Sequence, residues 1–183
     1  MQTLILNGSP RKNGDTAALL AHLRKQLSGE IIEISAYYDK ISPCIDCRKC
    51  REMDGCVIQD DMQKIYRIIE TCDNIVIASP IYFSELTGRL LDTASRLQTY
   101  YHGMRFRGSH PVQKPKRGAV ILVGGGEGDP RIPYDTAKRI LHYMQVKEIH
   151  PCICSHRTDA LPASQDTAVL AEISKAAAFL ERL

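Results

Sequence analysis

Thr3-Leu4-Ile5-Leu6-Asn7-Gly8-Ser9-Pro10-Arg11-Lys12-Asn13-Gly14-Asp15-Thr16 opens on an apolar run and closes on a loop of small, polar and cationic residues. Leucines at 19, 20, 23 and 27 follow at helical spacing across Thr16–Leu27, so the segment reads as strand, loop, helix. Small residues in the loop let backbone N–H groups face a ligand. Ser9 and Thr16 offer hydroxyls, and Arg11 and Lys12 add positive charge. The helix behind the loop contributes unpaired N–H groups and the positive end of its dipole, a combination that suits a phosphate. Taken alone, the loop also reads as a plain polar turn capped by Thr or Asp. It lacks the Gly-Lys-Ser/Thr of a Walker A loop, and its glycines do not fit G-x-G-x-x-G, so neither an NTPase nor a Rossmann dinucleotide site is favoured.

Outward from this unit the same alternation repeats. Ile31–Ile34, Asn74–Ser79, Gly118–Val123 and Val146–Cys154 read as strands. Helices are expected from Asp60-Asp61 through Cys72 (apolar stripe Ile65, Ile68, Ile69), over Leu86–Leu97, over Pro133–Met144 and over Ala163–Leu183. Five strands alternating with five helices predict one α/β domain over residues 1–183, a parallel sheet covered on both faces. Ligands bind such sheets at the carboxyl ends of the strands, where strand order reverses. That points to the loops after strands one, three and four. Pro80, Ile81, Tyr82 and Phe83 after the third can pack on a flat ring and bring backbone polar groups to its edge, or can simply fill core. Gly124, Gly125 and Gly126 after the fourth allow close backbone approach, or form a flexible surface loop.

The chain has 183 residues, 44% hydrophobic and 25% charged, the balance of an ordinary folded domain. A net charge of +3 is too small to point to nucleic acid. The longest apolar runs, Ile75–Ala78 and Ala119–Val123, fall far short of the roughly 18 residues of a membrane span. The start, Met1–Asn7, has no basic segment or cleavage site of a signal peptide, so a cytoplasmic protein is expected. In a reducing compartment, seven cysteines suit metal ligation, catalysis or core packing better than disulfides.

Four of them, Cys44, Cys47, Cys50 and Cys56, are spaced C-x2-C-x2-C-x5-C within thirteen residues. They converge only if the segment coils around a common centre, as a cubane iron–sulfur cluster requires. Zinc also accepts four thiolates, though its usual sites join two more distant pairs. An empty or redox-active loop is the third reading. Cys72, Cys152 and Cys154 read as core residues, and His150-Pro-Cys152-Ile-Cys154-Ser-His156 as a core strand before a metal ladder. Arg105, Arg107, Lys114, Lys116 and Arg117 form a stretch without acids. It reads first as a solvated loop, and otherwise as a surface for an acidic electron donor such as ferredoxin or for the 2′-phosphate of NADPH.

Gly8, Ser9, Pro10, Arg11, Lys12, Gly14 and Thr16 together resemble the phosphate loop of flavodoxin-like proteins, in particular the NADPH-dependent FMN reductases and iron–sulfur flavoproteins. The resemblance spans nearly the whole chain. It departs at Asp15, where the family usually has Asn; a carboxylate there repels a phosphate unless it turns away or caps the helix. The resemblance implies a doubly wound, five-stranded parallel sheet of order 2-1-3-4-5. It implies FMN, with its phosphate on Ser9, Arg11, Lys12, Asn13, Gly14 and Thr16, its ring on Pro80, Ile81, Tyr82 and Phe83, and its edge at Gly124, Gly125 and Gly126. The quartet Cys44, Cys47, Cys50 and Cys56, in an insertion at 43–57, is similar to the compact motif that holds a 4Fe–4S cluster beside the flavin. No catalytic side chain is expected, because the flavin carries the chemistry. The expected function is an FMN-dependent electron-transfer oxidoreductase with a cluster. The alternatives are an NADPH-dependent FMN or quinone reductase whose cysteine loop is structural or empty, and a non-enzymatic zinc or redox-sensing module. A homodimer or homotetramer is expected, with no nucleic-acid or membrane partner.

Overall fold

In the computed structural model, which describes residues 1–182, the first apolar run forms strand β1 (Gln2–Asn7), buried from Thr3 onward. Such continuous burial is what a parallel strand with helices on both faces demands. Strands β3 (Asn74–Pro80) and β4 (Lys116–Val123) share it, and β2 (Glu30–Ser35) and β5 (Val146–Ile149) flank them. All pairings are parallel, in the order β2-β1-β3-β4-β5. The chain leaves β1 in one direction to form β2 and in the other to form β3, so the reversal opens a crevice at the carboxyl ends of β1 and β3.

Each face has its own core. Ile5, Val76, Ala119 and Ile121 pack against helices α1 (Asp15–Arg24) and α6 (Thr167–Leu180) through Leu19, Leu23, Ile173 and Ala177. On the opposite face Leu4, Leu6, Ile75 and Ile77 meet α2 (Met62–Thr71), α3 (Gly88–Ser95) and α5 (Arg131–Tyr143) through Ile65, Ile69, Leu90 and Leu141.

Three expectations need correction. The stretch Val146–Cys154 is two strands: β6 (Ile153–Ser155) also pairs with β4, making six strands in place of five. Pro151 lies between them and has no N–H to continue the ladder. The helix expected over Leu86–Leu97 forms as α3, and a short helix α4 (Gln98–His102) and a wide π-type turn at Gly103–Arg107 follow it. The basic stretch is not uniformly solvated. Lys116 is buried in β4 with its ammonium donating to the Lys114 carbonyl at 2.7 Å, and burial lowers its pKa. The last helix starts at Thr167, where the Asp166 carboxylate accepts from the Ala168 and Val169 N–H groups. Leu183, the expected end of that helix, lies outside the described residues. Among the described residues no helix is long and apolar enough to cross a membrane.

Candidate functional site

The loops after β1, β3 and β4 meet in one cleft. Its wall carries Ser9, Arg11, Gly14 and Thr16 from the first, Pro80, Ile81 and Tyr82 from the second, and Gly125 from the third. Gly8 locks the first two together: its N–H donates to the Ala78 carbonyl at 2.8 Å, and its own carbonyl accepts from the Thr87 hydroxyl at 2.8 Å. A Cβ at Gly8 would lie 2.9 Å from both Leu90 Cδ2 and Thr87 Oγ1, so only glycine allows this approach. Ser9 is buried, its N–H bonded to Asn7 Oδ1 at 2.8 Å, and its hydroxyl receives the Arg11 N–H at 3.2 Å. Gly14 caps α1 with no side-chain hydrogen bond, so no side chain of the cap competes with a ligand for the first-turn N–H groups.

Asp15 also lines this cleft. Its Oδ1 accepts the Ala163 N–H at 2.8 Å and so ties the start of α1 to the turn before α6. Asp15→Asn keeps an acceptor at that atom. It is expected to leave flavin affinity within about twofold in a fluorescence titration; marked tightening would mean that the carboxylate faces the phosphate after all.

Lys12 and Asn13 do not line the cleft. They border an adjoining cavity of about 540 Å³ between α1 and β2, which shares Ser9, Arg11 and Gly14 with it. Phe83 also stands apart. Tyr82 and Glu85 exchange backbone hydrogen bonds at 2.9 and 3.0 Å around Phe83 (φ 51°) and Ser84 (φ 59°), a two-residue turn with both residues left-handed. The Phe83 ring at its tip is fully exposed. Gly124 and Gly126 flank the cleft and are braced by Thr158 and Arg157, whose N–H groups donate to their carbonyls at 3.1 and 2.9 Å. Thr158 and Asp159, which sequence reasoning missed, complete the cleft wall after β6. A Cβ on Gly125 would meet the Asp159 carboxylate at 2.7 Å, so glycine there accommodates the chain's own aspartate.

The second site lies in residues 43–58. Cys44, Cys47, Cys50 and Cys56 line one small cavity, closed by Ile45, Val57 and Ile58 and by Arg96, Thr99 and His102 from the α3–α4 segment. Left-handed backbone at Asp46 (φ 48°) and Arg48 (φ 63°) brackets Cys47 and coils the chain around this cavity. Such conformations persist only where surroundings hold them, and here they do. The Cys44 N–H donates to Ser95 Oγ at 2.9 Å, and the Thr99 hydroxyl to the Gly55 carbonyl at 2.9 Å. The Arg107 guanidinium bonds the Cys50 carbonyl and, at 2.6 Å, Asp54. Arg96, with a fully buried side chain, reaches the Ser42 carbonyl at 2.9 Å and Asp60 Oδ2 at 2.6 Å. Burial alone would raise the Asp60 pKa, but the Arg96 hydrogen bond and the Ser42 and Met62 N–H groups hold it below the usual carboxylate value.

Burial pushes the Cys50 thiol up; the nearby Cys56, Cys44 and Cys47 push the same way, against a backbone hydrogen bond. Burial also raises Cys72, in the core, and the half-buried Cys152 to about 11, and the half-buried Cys154 to about 12. Among the described residues, no three His, Cys, Asp or Glu side chains gather tightly enough to hold a single metal ion. The four thiols line one cavity. Arg96 Nε is buried with no hydrogen-bond partner. Four sulfur donors with a buried cation and an unmet N–H beside them fit an anionic group with several sulfur-bound corners, the character of a cubane cluster. Arg96, Thr99, His102 and Arg107 carried no sequence signal pairing them with the cysteines.

Helix α3 joins the two sites. Thr87, just before it, holds Gly8, and Ser95 at its end holds Cys44. Eight helical residues span about 12 Å.

The chain matches the model of a family described as NADPH-dependent FMN reductase over residues 1–160. It is 30% identical over 144 residues to an iron–sulfur flavoprotein of Archaeoglobus fulgidus, covering 77% of this chain and 62% of that protein. The chain spans about three fifths of the length of the first curated relatives it matches. Among solved structures it resembles an NAD(P)H:quinone oxidoreductase from Methanothermobacter marburgensis (TM-score 0.74, 15% identity, 100% of this chain and 98% of that one). It also resembles an FMN-dependent NADH-azoreductase from Bacillus anthracis in complex with FMN (TM-score 0.70, 16% identity, 100% of both chains). At these identities the likeness to the solved structures is one of fold.

Proposed function

The chain belongs to the NADPH-dependent FMN reductase family, and from that premise we propose that it is an oxidoreductase that binds FMN between its β1, β3 and β4 loops and holds a 4Fe–4S cluster on Cys44, Cys47, Cys50 and Cys56. The observation that carries the flavin part is the meeting of three loops of matching chemistry in one cleft at the reversal of strand order. When bound, FMN supplies one- and two-electron redox chemistry. The chain's own share is recognition and shielding. The Ser9 and Thr16 hydroxyls and the first-turn N–H groups of α1 take the phosphate, with Arg11 adding charge. Pro80, Ile81 and Tyr82 offer a flat apolar wall, and Gly124–Gly126 bring backbone groups to the polar edge.

The donor set around the second cavity supports the cluster part. In zinc sites four thiolates lie at roughly 2.3 Å from a single centre, whereas a cubane takes its ligands from around its corners. A cluster there would exchange single electrons with the flavin site at the other end of α3. The second reading, an NADPH-dependent FMN or quinone reductase with a structural cysteine loop, is favoured by how thoroughly hydrogen bonds with Ser95, Thr99 and Arg107 hold that loop. Assembly as a homodimer or homotetramer belongs to the same proposal; the Phe83 ring, which nothing among the described residues covers, is the feature a second copy would cover.

The phosphate assignment has a direct test. Hydrogen bonds to a charged group contribute about 1.5–3 kcal/mol, so the Ser9→Ala/Thr16→Ala double variant is expected to weaken FMN at least tenfold by equilibrium dialysis. Unchanged affinity removes the assignment. Iron and acid-labile sulfide analysis of anaerobically purified protein tests the cluster, and NADPH oxidation tests the second reading.

A further inference from the structure

Cys50 has a partner that no other cysteine of the quartet shows. Its sulfur lies 3.1 Å from Nδ1 of His102, 52 residues away along the chain. Both members are held in place. His102 is 6% exposed, and its ring stands edge-on to Phe106 at 5.4 Å and beside Tyr101 at 5.6 Å. On the other side of Cys50, Arg107 fixes the main chain through the Cys50 carbonyl. A neutral imidazole has one N–H donor, and a thiolate has only acceptor capacity. With Cys50 bound to iron as a thiolate, the arrangement that satisfies both atoms places the proton on Nδ1, pointing at sulfur. In the same cavity, Arg96 keeps a buried Nε without a partner on a side chain fully withdrawn from water.

We infer that His102 is a tuning residue for the cluster: its Nδ1–H donates to the Cys50 sulfur and, with the Arg96 guanidinium, raises the cluster's reduction potential. The inference rests on the cluster part of the proposed function. One electron from an external one-electron reductant adds negative charge to the iron–sulfur unit; no bond breaks and no proton moves. Hydrogen bonds to sulfur strengthen as that charge grows, so they stabilise the reduced form more than the oxidised one. Asp60 offsets the Arg96 charge at 2.6 Å, so the share of Arg96 is its unpartnered Nε–H, a donor that also strengthens as charge builds on the cluster.

The test uses the full chain, reconstituted anaerobically with iron and sulfide, as wild type, His102→Leu and His102→Gln. Iron and sulfide per chain report assembly, and a mediated dithionite titration followed by electron paramagnetic resonance reports potential. His102→Leu is expected to retain the cluster. At the wild-type midpoint its ratio of reduced to oxidised cluster should fall about tenfold, a shift of about 59 mV to lower potential for one electron. His102→Gln, which can still donate an N–H, should recover at least half of that shift. Full clusters at the wild-type potential in both variants overturn the inference alone. Loss of iron from both variants with the fold intact also overturns it, because His102 would then hold the cluster without tuning it. A wild-type chain that takes up no iron or sulfide overturns this inference and the cluster reading together.

Discussion

Replacing any one of the four loop cysteines (Cys44→Ser, Cys47→Ser, Cys50→Ser or Cys56→Ser) is expected to abolish a stable four-iron cluster while FMN stays bound. A cubane takes one protein ligand at each iron, and the four thiols share a single cavity in which no spare cysteine lies. Cys72, Cys152 and Cys154 offer no replacement, since none of them lines that cavity. The phosphate and ring loops come from other segments, so flavin content should remain near one per chain. Reduction through a one-electron donor such as ferredoxin should collapse, and direct flavin reduction by dithionite should persist. The measurement is iron, sulfide and flavin per chain in parallel. Full iron content in each single variant would remove the four-ligand assignment.

Asp60→Ala is expected to cost about 3–5 kcal/mol of stability, because it leaves the Arg96 guanidinium charged and unpaired in the interior. The Arg96 side chain is 0% exposed and that of Asp60 10%, and the pair meets at 2.6 Å. For a chain of this length such a loss lowers Tm by roughly 10 °C or more. Arg96 also holds the Ser42 carbonyl, and Tyr66 donates to the Arg96 carbonyl at 2.9 Å, so the damage should spread to the cysteine loop. The pH dependence has a definite sign. The Asp60 pKa is lower folded than unfolded, so the pair's contribution is present above the ordinary carboxylate pKa of about 3.9 and disappears as pH falls through the lower folded value. The stability gap between wild type and Asp60→Asn should therefore be flat above about pH 5 and shrink only below about pH 4. A gap that shrinks between pH 5 and 7 would assign the effect to another group.

Much of the fold was legible because the signals are local. A doubly buried strand must be apolar at every position, and a helix on a sheet repeats near every 3.6 residues, so the run Thr3–Leu6 and the leucines after Thr16 identify their elements wherever they pack. The interruption at Pro151 was present in the sequence as well, but the apolar residues on either side masked it. The short helix and wide turn at residues 98–107, beyond the Leu86–Leu97 helix, had no such marker. Their polar residues look like a solvated face until the cysteine loop is laid against them.

The residues alone determined the parallel α/β sheet and the spacing of the cysteine quartet, because spacing along a chain survives into short-range geometry. Only the tertiary structure decided which groups serve these motifs. The Asp15 carboxylate turns to an N–H 148 residues away, Arg96 pairs with an aspartate 36 residues away, and His102 and Arg107 converge on Cys50 from 52 and 57 residues away. Contacts at these separations depend on where the helices come to rest on the sheet, α1 and α6 for Asp15, α3 and α4 for the others, and that position is set by burial summed over both cores.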